Sequence, residues 1–330
     1  MPSGLVAGEY RARAGALTLS YLTSTMGWDE LRAILAQAAT GADLVDLDAI
    51  VLPDREEAVF DVFADRYLLE PADPGDDPDD IETRMQPTPA GREVPLVGAV
   101  LHHWYERCPA GPVAPGEGGG RVLWPLLCGW ASTVVHAVAA KPRSAPEVHE
   151  EIGVIPLELV EASLGLLDEV GLIRPLPPER PGGDERYEPT EWLRLAVAPL
   201  AAAARLELRH PREDTAPIAA ADVAAALQLT LPLLRMPTGL NGRCALSVEL
   251  DAGVLGSPAG VTARIDEGRV VACEPGIDPD ADASAAGPSG AWLDAVIEGG
   301  ARGVSSDGDW RLPRDILGGL HKALFGGLRV

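Results

Sequence analysis

The sequence is poor in cysteine, and its cysteines are not paired. The four thiols, at Cys108, Cys128, Cys244 and Cys273, are scattered along the chain and form no C-x-x-C motif. This spacing predicts buried, reduced thiols that pack as small hydrophobic side chains in a reducing compartment.

Long apolar runs are also missing. Residues 195–204 form an apolar stretch only about half as long as the roughly 20 residues that span a bilayer. The first residues, MPSGLVAGEYRARAG, lack a basic region followed by an apolar segment, so no secretory signal is expected. These two absences predict a soluble, cytoplasmic protein that does not enter a membrane.

Positive charge is scarce. The chain has 27 Lys and Arg against 50 Asp and Glu, which gives a formal net charge of −23. Such a field repels nucleic acid and anionic membranes at long range, although a local basic patch can still bind. Charge therefore counts against a nucleic-acid partner without excluding one.

Motifs of known chemistry are incomplete or absent. No G-x-S-x-G nucleophile motif occurs, and the glycines of residues 116–120 follow no predicted strand, so they indicate a linker rather than a phosphate loop. The calcium-loop-like residues 278–289 lack the required glycine and the final glutamate. His102 and His103 point about 100° apart on a helix, and with Cys108 they lack a fourth ligand. We expect no metal or cofactor, and no catalytic residues can be named.

The length predicts two or three domains, and the order of predicted helices and strands described below predicts an α+β protein. The 330 residues are 46% hydrophobic and include 36 Gly and 30 Pro, which is typical of a globular chain with many turns. The predicted boundaries are 1–112 and 121–212 for two related domains and 218–330 for a third.

An internal repeat defines the first two domains. Residues 86–109 align without a gap with residues 188–211, so that, for example, Thr88 matches Thr190 and Arg107 matches Arg209. In both copies a Pro-Thr pair is placed to end a strand and cap an apolar helix. In the second copy, a helix over 121–140, a short helix, a helix from Pro156 to Gly171, two strands and the closing helix predict a winged helix-turn-helix.

These segments resemble a known family. QPTPAGREVPLVGAVLHHW, residues 86–104, looks like the closing strand and helix of HxlR-type bacterial regulators, in which Thr-x-x-Gly-Arg precedes a helix ending near a Trp. Residues 166–175 and 186–190 resemble the same family, but Trp192 and Leu193 stand near the family's Gly position. The resemblance implies dimer-forming, operator-reading modules, two of which in one chain could form a pseudo-dimer.

The helix expected to read DNA in the second copy carries no cations, and its counterpart in the first copy has an acidic stripe. The buried stripe of residues 156–171 leaves mainly acidic and small residues outside, and residues 53–69 present an acidic stripe. The first wing adds six carboxylates between Asp73 and Glu82. Four cations elsewhere in the second copy are the candidate phosphate contacts, fewer than the roughly 6–10 typical of a salt-sensitive binder: Lys141, Arg143, Arg180 and Arg186.

The last third has a different pattern. A helix over 220–235 precedes alternating strands joined by a turn at Asp266-Glu267-Gly268, followed by a helix, a Gly-rich strand and a terminal helix. With Asp280-Ala281-Asp282 and Gly308-Asp309, this order resembles the sterol-carrier-protein type 2 domain. The resemblance implies an apolar ligand tunnel, although side chains could instead fill it. The candidate lining is Trp292, Leu293, Val296, Leu317, Leu320 and Phe325.

Two functions fit this organisation. One is an HxlR-like transcriptional regulator that responds to a hydrophobic small molecule, with double-stranded DNA as its second partner. The other is an accessory protein that has lost DNA binding and binds, sequesters or processes a hydrophobic metabolite. A second ligand site is hypothesised between the two copies, where an ordinary inter-domain core is the alternative, at Trp104, Trp124, Trp130 and Trp192. The sequence does not specify the oligomeric state.

Overall fold

A computed structural model describes most of the chain after residue 84. The described residues are 15, 18–19, 22, 69–71, 85–114, 117–127, 129–178, 180–211, 215, 217–249 and 258–327. Most of the predicted first domain, including residues 53–68 of the predicted acidic helix and the acidic wing segment 72–84, lies outside these residues. Leu69, the last residue of that predicted helix, instead begins a strand.

Of the first copy, the structure describes mainly two paired strands and the closing helix. Strand β1 (Leu69–Pro71) pairs antiparallel with β2 (Met85–Pro87), and α1 (Pro89–Glu106) follows. Thr88 caps α1, because its hydroxyl accepts a hydrogen bond from the Gly91 amide at 3.0 Å. The cap predicted by the repeat is thus confirmed in this copy.

The second copy is described almost completely. Its elements are α2 (Glu117–Leu127), α3 (Gly129–Ala139), β3 (Arg143–Ser144), α4 (Ala145–Ile152), α5 (Leu157–Glu169), β4 (Ile173–Leu176), β5 (Arg186–Pro189), α6 (Glu191–Leu195) and α7 (Val197–Arg209). The three strands form an antiparallel sheet in the order β3-β5-β4. Thr190 caps α6 by accepting from the Leu193 amide at 3.2 Å, as the alignment with Thr88 predicts.

Two helices that the sequence predicts to be continuous are broken. Residues 121–140 divide into α2 and α3, which are bent by 69° relative to each other. Pro125 within α2 and Gly129 at the start of α3 both weaken the helix at this point. The closing helix divides at Ala196, because Pro199 has no amide hydrogen to donate to the Leu195 carbonyl.

The last part of the chain is a mixed sheet covered by helices. Helix α8 (Ala220–Thr230) continues as a 3-10 turn and precedes the other elements, which are β6 (Gly242–Glu249), β7 (Ala259–Asp266), β8 (Arg269–Pro275), β9 (Ala283–Pro288), α9 (Ser289–Glu298), β10 (Ser305–Gly308) and α10 (Arg311–Phe325). The strand order is β10-β9-β6-β7-β8, with β6 and β9 parallel and the other neighbours antiparallel. The β7–β8 hairpin turns at Glu267-Gly268, within the predicted turn of residues 266–268, and both residues have positive φ.

One continuous hydrophobic core joins these parts. Its buried residues run from α1 through the second copy to α10. Helix α1 packs against α7, and α7 packs in turn against α9. The structure is therefore of the mixed α+β class. Helices α7 and α8, which follow residue 196, connect the second copy to the last sheet and its helices.

Candidate functional site

An apolar cavity lies where the second copy meets the C-terminal helices. Its volume is about 140 Å³, and its walls come from α2, α3, α6, α7, α8, α9 and α10. On α7 the cavity faces Val197, Ala201 and Ala204, which share one side of the helix and have short side chains. These short side chains leave space that longer ones would fill.

Part of the predicted ligand lining surrounds this cavity. Trp292, Leu293, Val296 and Leu320 lie in its wall, whereas Leu317 and Phe325 are buried away from it. The indole of Trp292 donates to the Ser247 carbonyl at 2.9 Å, so its only polar atom is satisfied.

Sequence reasoning did not identify the opposite wall. It is formed by residues of α3, α6, α7 and α8, with Val135, Leu193 and Leu227 among them. The one feature of the sequence that could have indicated this wall is the run of four alanines at residues 201–204, because such small side chains leave space beside a helix.

A histidine and an aspartate bring polarity to the cavity. Nε2 of His136, in the last turn of α3, lies 3.3 Å from Oδ1 of Asp222, in the first turn of α8. The Asp222 carboxylate, near the N-terminus of α8, complements the dipole of that helix. The Thr230 hydroxyl, also at the wall, donates within its own helix to the Ala226 carbonyl at 2.7 Å.

A more polar cleft adjoins the cavity. It has a volume of about 450 Å³, and its wall shares His136 and Ala225 with the apolar cavity. The cleft also contains Arg143, Glu151 and the amide side chain of Gln228. Arg143 Nη1 lies 2.5 Å from Glu151 Oε2, so this cation is compensated within the protein.

The four tryptophans proposed to form a second ligand site have different surroundings. Trp104 and Trp192 are buried and stacked, with ring centroids 4.9 Å apart. Trp124 is 60% exposed, and Trp130 is half-buried against the core. None of the four lies in the wall of the apolar cavity.

The four candidate DNA-contacting cations also differ in their contacts and exposure. The Arg143 side chain is only 11% exposed and is paired with Glu151. Arg186 donates to the Pro142 carbonyl at 2.6 Å and lies 3.5 Å from Glu147. Lys141 and Arg180 are exposed. Two of the four cations are therefore held against the protein itself.

The exposed face of α5 is acidic. On α5, Glu158, Glu161, Asp168 and Glu169 are exposed. Of the four residues predicted to form its buried stripe, Val160, Leu164 and Leu167 are buried and Leu157 is half-buried. In the described part of the chain, no three His, Cys, Asp or Glu side chains are placed to hold a metal ion.

Comparisons with protein-family models, with curated proteins and with solved structures each find no significant match. Within the described ranges, no single helix has both the length and the apolarity needed to cross a membrane, although the bent pair of α2 and α3 has them when taken together.

Proposed function

We propose that this protein binds a hydrophobic small molecule in the cavity between the second copy and the C-terminal helices. The observation that carries the proposal is the cavity itself, which is lined mainly by Leu, Val, Ala and Trp side chains with few polar groups. Small-molecule sites in proteins typically have this form. In this proposal the protein is an accessory protein that sequesters, carries or presents a hydrophobic metabolite.

The proposed architecture is two winged helices followed by a sterol-carrier-like domain. The order α3-β3-α4-α5-β4-β5 and the three-stranded sheet support a winged helix-turn-helix for the second copy. The strands, helix, short strand and terminal helix of the last part support the sterol-carrier-like domain.

Binding would join two parts of the chain. The cavity wall includes Val135 and Val197 from the second copy, and Trp292 and Leu320 from the C-terminal part. A ligand that contacts both sides stabilises the arrangement in which they meet, by an amount that grows with its concentration above Kd. The ligand would therefore favour one relative placement of the two parts over others.

Toluene provides a direct test. In thermal melts of the full chain, saturating toluene is expected to raise Tm by several degrees, because a ligand at about 100 times its Kd stabilises by about 2.7 kcal/mol. The Ala201→Met variant fills the cavity and should melt at a Tm close to that of the wild type without ligand, while losing most of the toluene response. Ala162→Met, at an exposed position of α5, is the matched control and should respond as the wild type does. An unchanged wild-type Tm at saturating toluene would refute the proposal.

The regulator remains a second candidate, favoured by the winged-helix order of elements in the second copy. Under this hypothesis two exposed cations contact phosphates: Lys141, which precedes α4, and Arg180, in the wing. Fluorescence anisotropy with a duplex from upstream of the protein's own gene should then show binding at about 0.15 M salt. The pair Lys141→Ala and Arg180→Ala should abolish it, and Arg302→Ala, at an exposed position of the C-terminal part, should not. Absence of binding even at low salt would exclude the regulator.

A further inference from the structure

The polar cleft beside the apolar cavity contains a buried amide that the surrounding protein leaves unpaired. Gln228, near the end of α8, is 8% exposed and lies in the wall of the cleft. Its side-chain amide makes no hydrogen bond to any residue that the structure describes. We propose that the cleft is a further binding site, for a small, neutral, planar molecule that pairs with the Gln228 amide through an amide edge, an N–H next to a C=O. A lactam and a nucleobase both present such an edge.

The direction of the Gln228 side chain follows from the helix face on which it lies. The cleft touches α8 at Ala221, Ala224, Ala225 and Gln228, which recur at intervals of three and four residues. Residues at these intervals share one side of an α-helix. Because the other three are alanines, the Gln228 amide is the polar group that this face of α8 presents to the cleft.

A buried amide without a hydrogen bond is unfavourable, so the Gln228 amide requires a partner in the cleft. Water supplies this partner in the free protein, and a ligand that replaces the water has to offer both a donor and an acceptor, because the amide has both. Glutamine makes two parallel hydrogen bonds of this kind with the adjacent donor and acceptor of an adenine base. The N–H and C=O of a lactam are complementary to the amide in the same way.

The charged groups at the cleft are already compensated. Arg143 Nη1 lies 2.5 Å from Glu151 Oε2, and His136 Nε2 lies 3.3 Å from Asp222 Oδ1. Arg143 Nε has no partner among the described residues, but this atom is closed off from solvent, so it does not contact a molecule in the cleft. A charged ligand would bring a further charge without an unopposed counter-charge, which is unfavourable in a partly buried site. Recognition therefore depends on the neutral amide of Gln228.

The shape of the cleft fits a flat ring system. Its volume is about 450 Å³, within the roughly 300–1,000 Å³ of small-molecule sites. Part of its wall comes from α3 and α8, with Ala137 and Ala225 among the residues. Another part comes from the start of β7 and the end of β8, including Gly260 and Pro275. Because most of these side chains are short, they leave room for a planar ring with one edge toward Gln228.

Three bicyclic probes separate these features. 2-Quinolinone has the amide edge, 1-methyl-2-quinolinone keeps the rings and the carbonyl but has no N–H, and 2-naphthoate is an anion of similar size. In ligand-observed NMR titrations of the full chain at pH 7, we expect 2-quinolinone to bind about three- to tenfold more tightly than 1-methyl-2-quinolinone, as the loss of one net hydrogen bond predicts. 2-Naphthoate should bind at least about tenfold more weakly than 2-quinolinone.

Thymine distinguishes the two sources of an amide edge, because it carries the same N–H and C=O on a nucleobase. Tighter binding of thymine than of 2-quinolinone would assign the cleft to a nucleobase, and the reverse order would assign it to a lactam. Either order supports recognition of the amide edge, provided that the bound molecule depends on Gln228.

Two variants on α8 test whether binding occurs in the cleft. Gln228→Met keeps nearly the same size and removes the amide, so it should reduce the preference for 2-quinolinone over its N-methyl derivative to less than about twofold. Its Tm without ligand should equal or exceed that of the wild type, because an unpaired buried amide has been removed. Ala221→Phe, at an exposed position of the same helix face, fills the cleft and should weaken 2-quinolinone binding at least about fivefold. Ala201→Met fills the apolar cavity instead and is the matched control, which should bind 2-quinolinone as the wild type does.

The outcomes test this site separately from the apolar cavity, which toluene tests. If 2-quinolinone binds no more tightly than its N-methyl derivative, or if the preference survives Gln228→Met, the amide is not the recognition group and the proposal is wrong. Tighter binding of 2-naphthoate than of 2-quinolinone would overturn the neutral ligand. A Tm of Gln228→Met well below that of the wild type would show that the amide is satisfied within the protein, which also contradicts the proposal.

Discussion

Trp104 and Trp192 form a reciprocal pair that joins the two copies. Each indole nitrogen donates to the other residue's backbone carbonyl, at 2.8 Å from Trp104 and 2.9 Å from Trp192. Trp104 lies near the end of α1 and Trp192 at the start of α6, while Glu93 near the start of α1 lies 3.5 Å from Arg209 at the end of α7. The closing segments of the two copies therefore run antiparallel.

The reciprocal pair predicts a specific stability effect. Trp104→Phe keeps an aromatic ring but removes the indole donor, so the Trp192 carbonyl keeps only the Ala196 amide, at 3.1 Å, as a donor. We expect the apparent free energy of unfolding to fall by about 2–3 kcal/mol, from the lost hydrogen bond and the smaller ring. Urea denaturation followed by circular dichroism measures it. Trp310→Phe is the matched control, because Trp310 is exposed and its ring contact with Arg314 is one that Phe can also make, so it should change stability by less than about 0.5 kcal/mol.

A buried arginine connects the second copy to the C-terminal part. The Arg205 side chain on α7 is 10% exposed and bonds both Asp294, at 2.7 Å, and Glu298 on α9. Arg209, one turn later, contacts the same two carboxylates at 2.9 and 3.2 Å. Because α9 also carries Trp292, Leu293 and Val296, this ion-pair network fixes the helix that forms one wall of the cavity.

Removal of the Arg205 charge should therefore weaken the junction. We expect Arg205→Met to lower the apparent free energy of unfolding by about 2 kcal/mol, less than for a fully buried pair because both carboxylates are partly exposed and retain Arg209. Methionine preserves the packing of the aliphatic stem. Arg174→Met, which removes the exposed partner of Glu188, should cost less than about 1 kcal/mol in the same denaturation experiment. Equal losses in the two variants would show that the Arg205 network does not strengthen the junction.

The local parts of the fold were predictable because their causes are local. Thr88 and Thr190 cap helices through amides three residues later, and Glu267-Gly268 occupies a two-residue turn that requires positive φ. The mixed α+β class also follows from such patterns. The breaks near Pro125 and Pro199 had signals in the sequence, but apolar periodicity continues across both and conceals them.

The candidate site was less predictable because its parts are distant in sequence. His136 and Asp222 meet only because α3 packs against α8, and no spacing rule connects them. Arg143 and Arg186 were likewise predicted to contact phosphate from their residue type alone. Their partners, the Glu151 carboxylate and the Pro142 carbonyl, are set by the way α4 and β5 fold around them.

Two cysteines should be chemically inert in the native protein. Burial raises the pKa of Cys244 to about 12 and that of Cys273 to about 12. Because the thiolate is the reactive form, iodoacetamide at pH 8 should label both far more slowly in the folded chain than in 6 M guanidinium chloride, with the fully buried Cys244 the slower. Peptide mapping by mass spectrometry gives the rates. Equal labelling of Cys244 in the folded and unfolded chain would contradict its buried position.

The capping box of α4 predicts how stability changes in acid. The Ser144 amide donates to Glu147 Oε2 at 2.7 Å, and this bond, together with the charges of Arg186 and Lys141, holds the pKa of Glu147 below its usual 4.5. A carboxyl whose pKa is lowered on folding stabilises the folded state above its unfolded pKa, and this contribution is lost as the pH falls through the folded pKa.

Glu147→Gln should therefore be less stable than the wild type at pH 7, and the difference should shrink as the pH falls below about 4.5. Denaturation midpoints at half-unit pH intervals between 7 and 3 test this. Ser144→Ala removes the reciprocal half of the box and should cost about 1 kcal/mol at pH 7. Glu150→Gln, on an exposed position of the same helix, is the control and should follow the wild-type pH profile. A constant difference between wild type and Glu147→Gln across this range would mean that the ionised carboxylate does not stabilise α4.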